Sequence, residues 1–81
     1  MTTATATEVS RERAAELLVL LYQYMKVNTP SHSILLPAVF ALQEAAALYG
    51  RNATQQAFDR AVEVYELLQQ ARAVSPDLPV P

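Results

Sequence analysis

One glycine, Gly50, and five prolines (Pro30, Pro37, Pro76, Pro79 and Pro81) interrupt a chain of 81 residues that otherwise reads as helix-compatible throughout. Proline costs a helix interior about 3 kcal/mol relative to alanine and glycine about 1, so helices must fit between these breaks. Three segments result. The first runs from about Ala6 to Lys26, with Thr5 and Glu8 spaced as a capping box. It ends at Val27-Asn28-Thr29-Pro30, because the residue before a proline is pushed out of the α region. The second starts at Ser33 as N-cap or, preferably, at Leu36 with Pro37 in the first helical position, and Gly50 closes it as the left-handed residue beyond its last turn. The third begins after Asn52, read as an N-cap boxed with Gln55, and runs to about Val74, where Ser75-Pro76 stops it. Strands find little support, since alternation is absent and Ala, Leu, Gln and Glu abound. The expected fold is all-α: a small three-helix bundle, or a helical hairpin plus a helix, completed by oligomerisation. Residues 1–5 form an N-terminal tail in this reading, 6–74 a single helical domain, and 75–81 an extended Pro-rich tail.

The helix faces explain why oligomerisation enters. On a helical wheel the third segment is an ordinary amphipathic helix, with Ala57, Ala61, Val64, Leu68 and Ala71 on one stripe, Phe58 and Tyr65 beside it, and Phe58, Tyr65 and Leu68 as bulky knobs. The first segment differs. Its apolar residues, including the unbroken run Leu17 to Tyr22, spread over an arc of roughly 260°, more than two neighbouring helices cover. The second carries Gln43 and Glu44 as its only polar interior residues. Charged residues make up only 17% of the chain, against about 25% in an ordinary soluble domain, so apolar surface is left in excess. Even so, the run from Ile34 to Ala41 or Leu42 is far short of the ~20 residues of a membrane span.

Several chemistries are disfavoured by composition. The net charge is −2 with no Lys/Arg cluster, so the electrostatic footprint of nucleic-acid binding is missing. There is no cysteine for a disulfide, a thiolate nucleophile or a sulfur-ligated metal. One glycine excludes a Gly-rich phosphate loop. The opening residues have no basic stretch followed by an apolar run, so no secretory signal is read and a cytoplasmic location is expected.

His32, the only histidine, lies between Ser31 and Ser33, but no carboxylate nearby in sequence orients it, and the serines read as cap and turn residues. Glu12 with Glu16 and Glu63 with Glu66 lie on polar helix faces, and the Glu-x-x-His pattern of a di-iron bundle is missing. The hairpin of the second and third helices superficially resembles one tetratricopeptide unit. Glu44 and Gln69 stand where that pattern has leucine and proline, so no family is assigned.

The expectation is therefore a non-enzymatic helical interaction subunit without cofactor or metal, accessory or regulatory in role. Its partner is itself or a larger protein complex, with Leu17, Leu20, Leu21 and Tyr24 nearest the contact. The alternative is a module that binds an apolar ligand or peptide in a pocket between the first two helices.

Overall fold

The computed structural model describes residues 9–81. They form three α-helices, α1 (Arg11–Asn28), α2 (Leu36–Gly50) and α3 (Thr54–Val74), and contain no strand. Two 3₁₀ turns, Thr29–Ser31 and Ser33–Leu35, join α1 to α2. The all-α reading is correct, but the caps differ from it.

Val9 and Ser10 are not helical, which corrects the expected continuous helix from Ala6 to Lys26; the Thr5 and Glu8 box lies outside the described residues. Ser10 is the N-cap instead, its hydroxyl accepting from the Arg13 N–H at 3.1 Å. Both expected starts of the second helix are partly realised. Ser33 opens the 3₁₀ turn and Leu36 the α-helix, with Pro37 in the first turn, where its missing N–H has no intrahelical partner to lose.

The junction of α2 and α3 holds the largest correction. Gly50 remains helical, and Asn52 takes the left-handed conformation, with φ at 64°. The Ala53 N–H bonds to the Leu48 carbonyl at 2.9 Å, and the Asn52 N–H to that of Tyr49 at 3.0 Å, which together make a Schellman motif. Asn52 thus ends α2 and does not cap α3, whose N-cap position is Ala53 without a side-chain bond. Gln55 makes no box; its Oε1 accepts from the Val9 N–H at 3.0 Å. Arg11 locks this junction to α1. Its guanidinium donates to Asn52 Oδ1 at 2.9 Å and to Thr54 Oγ1 at 3.2 Å, and lies 3.9 Å from the Tyr49 ring centroid.

Packing follows the alanines. Ala38, Ala41 and Ala45 of α2 and Ala57, Ala61 and Ala71 of α3 are buried, and these small side chains bring the two helices into the most extensive contact in the molecule. From α1, Ala14, Leu21, Tyr24 and Met25 complete the core. Of the expected bulky knobs Leu68 is fully buried, while Phe58 and Tyr65 are only half-buried and Val64 is enclosed in their place.

The C-terminal segment folds back. Leu78 is only 2% exposed and belongs to the main core cluster. A tail standing clear of the core is thereby corrected: three prolines prevent a helix but leave Leu78 free to enter a gap between helices.

Candidate functional site

The site begins with an imbalance among helix pairs. Because α2 spends its alanine face on α3, its contact with α1 is the least extensive of the three. The two helices leave between them an open groove of about 570 Å³. One wall is Tyr22, Met25 and Lys26 of α1, the floor end is Thr29 and Pro30, and the other wall is Val39, Leu42, Gln43 and Ala46 of α2. Lys26 is the only charged residue in this lining.

The apolar surface continues beyond the groove. On α2, Phe40 is 63% exposed and Leu36 is exposed beside it one turn away. On α1, Tyr22 of the groove wall is exposed, and Val19 and Val27 are exposed elsewhere on the helix. The one charged residue of α2, Glu44, is exposed one turn from Phe40 and is held by the Arg60 guanidinium, whose Nε donates to it at 3.1 Å while Glu63 takes a second nitrogen of the same group. Glu44 is thus the one charge on the exposed side of α2. The segment Ser33–Gly50, 18 residues at mean hydropathy 1.4, reaches the length and composition of a membrane-crossing helix, although its strictly apolar run is shorter.

The four residues chosen from sequence are divided by the structure. Leu21 and Tyr24 are buried inside this chain, Leu17 is half-buried, and Leu20 is 44% exposed. The cause is periodicity: positions 17, 21 and 24 fall on one stripe, which faces the other helices, and position 20 falls off it. Leu20 borders a shallow patch with Ala15, Glu16, Val19 and Gln23, on the side of α1 away from the groove. Tyr22 and Val39, which line the groove, and Phe40, exposed on the same helix as Val39, were not singled out. The signal for Val39 and Phe40 was present in the largely apolar sequence of α2, but choosing among its residues needs the angle at which α2 meets α3.

His32 is better placed than its sequence neighbours imply. Its Nε2 lies 2.8 Å from Asp77 Oδ2, a carboxylate 45 residues away, and its Nδ1 lies 3.2 Å from the Asn28 carbonyl oxygen. The Asp77 hydrogen bond raises the His32 pKa above the ordinary histidine value, partial burial opposes it, and the Asn28 carbonyl adds to it. Asp77 is correspondingly lowered, chiefly by the same bond. With both ring nitrogens committed, none is left to activate Ser31 or Ser33, so this arrangement lacks the geometry of a nucleophilic serine. Among the described residues no three His, Asp or Glu side chains converge as a metal set.

No family model, curated protein or solved structure matches this chain.

Proposed function

We propose that this chain is a non-enzymatic helical interaction module, and that its working surface is the groove face of α1 and α2 closed by a second copy of itself. The observation carrying this is a knob beside a hole. Phe40 protrudes from the same helix whose Val39, Leu42 and Ala46 line the groove. A two-fold interface brings one patch against itself, so a patch with both features can fill its own cavity twice, Phe40 of each copy entering the groove of the other. Ala46 and Ala47, both exposed, let two α2 helices approach closely. The remaining α2 side is anchored on α3 and through Glu44 to Arg60, an arrangement suited to protein contact more than to lipid on all sides.

The test is sedimentation of the wild-type chain beside Phe40→Glu. Dimerisation of the wild type, and a monomer of unchanged helicity for Phe40→Glu, is the expected pair of results. A wild-type monomer at high micromolar concentration removes the reading. A second reading rests on groove size: about 570 Å³ of mostly apolar space lies in the range of small-molecule sites. Native mass spectrometry detects it as a co-purifying apolar ligand on a monomeric chain.

A further inference from the structure

The C-terminal segment is held from three sides, by a different element on each. The Tyr24 hydroxyl of α1 donates to the Pro79 carbonyl at 2.8 Å. Arg72 of α3 donates through Nε to the Leu78 carbonyl at 3.3 Å. His32, between the two 3₁₀ turns, meets Asp77 at 2.8 Å. Leu78 is buried between these contacts.

The third contact is unlike the others because of what lies on the far side of the ring. A carboxylate and a backbone carbonyl only accept hydrogen bonds, and His32 faces one of each, at Asp77 and at Asn28. Both ring nitrogens must then carry a proton for both bonds to form, and only the imidazolium has two N–H groups. A neutral ring gives up one of the two.

We propose that residues Asp77 to Pro79 form a strap over the core, and that the protonated form of His32 is the clasp that holds it. The charged and titratable groups around the strap are His32 on the inter-turn residue, Asp77 on the strap itself, Tyr24 on α1 and Arg72 on α3. Burial pushes the Tyr24 hydroxyl upward, with Arg72 opposing, so Tyr24 stays neutral through the physiological range. Arg72 stays charged. His32 is thus the group of the set that changes state near neutrality.

The sign is fixed by the two partners. His32 is raised in the folded chain, so its contribution is complete below its unfolded value of about 6.5 and is lost as pH rises through the raised folded value. Asp77 is lowered, so its contribution is present above about 3.9 and is lost as pH falls through the lowered value. The His32 contact holds the strap most firmly between about pH 4 and 6.5 and weakens as pH rises through the raised His32 value, which loosens the packing over Leu78.

The experiment is an NMR titration of the full chain, following the His32 ring protons and the Leu78 methyl groups from pH 5 to 9. The expected result is a His32 midpoint above 6.5 and a Leu78 methyl shift moving with the same midpoint. In Asp77→Asn, an exposed substitution, the His32 midpoint falls back and the Leu78 shift loses its pH dependence. His32→Gln keeps one fixed donor, so Leu78 should become insensitive to pH there too. Leu78 methyls that stay still while His32 titrates, or a His32 midpoint unchanged in Asp77→Asn, overturn the proposal.

Discussion

At Asn52 the backbone sets the residue's place in the fold, and its side chain adds the Arg11 hydrogen bond. A left-handed φ of 64° costs an ordinary L-residue about 1–2 kcal/mol, and asparagine tolerates it better than most. Serine separates the two roles, since it caps helix N-termini as well as asparagine does but adopts the left-handed region poorly. Both variants lose the exposed Arg11 bond, so Asn52→Ser should be less stable than Asn52→Gly by about 1 kcal/mol in urea melts. Asn52→Ser as stable as Asn52→Gly or more so would restore the N-cap role that the sequence suggested. The residue scale is also where the sequence was least legible. The Asn52-x-x-Gln55 spacing is a genuine box pattern, but the left-handed turn ending α2 took Asn52, and Val9 took Gln55. His32 has the same history, because its partner Asp77 is distant in sequence and close only after the tail returns.

The helices themselves were legible at the scale of elements, because proline and glycine leave so few ways to divide the chain. α2 and α3 begin and end within a few residues of where the breaks put them. The tail was not legible. Its prolines correctly exclude a helix, but one leucine with no periodic neighbours carries no pattern signal, and only a gap of the right shape reveals it. Leu78→Ala should therefore cost about 2–5 kcal/mol, as for other buried leucines. Val80→Ala, two residues on and 66% exposed, should be nearly neutral. Equal effects from the two in denaturant melts would mean that the tail does not enter the core. A similar contrast applies along α3, where Leu68→Ala should cost more than Phe58→Ala even though phenylalanine is larger, because Leu68 is fully enclosed and Phe58 is half-buried.

For the whole molecule, the excess of apolar residues visible in the sequence is placed by the packing. The face of α1 with Leu21 and Tyr24 is used within the chain, which leaves the groove between α1 and α2, flanked by Phe40 and Tyr22, as the larger apolar surface. A functional account built on that face makes the interaction depend on α2 more than on α1. Leu20→Glu, on the opposite side of α1, should leave self-association unchanged, and Phe40→Glu should abolish it. Sedimentation equilibrium of the wild type, Leu20→Glu and Phe40→Glu at equal concentration tests this most directly. The account predicts dimer, dimer and monomer with helicity preserved in all three; a monomeric wild type, or a dimer that only Leu20→Glu breaks, would contradict it.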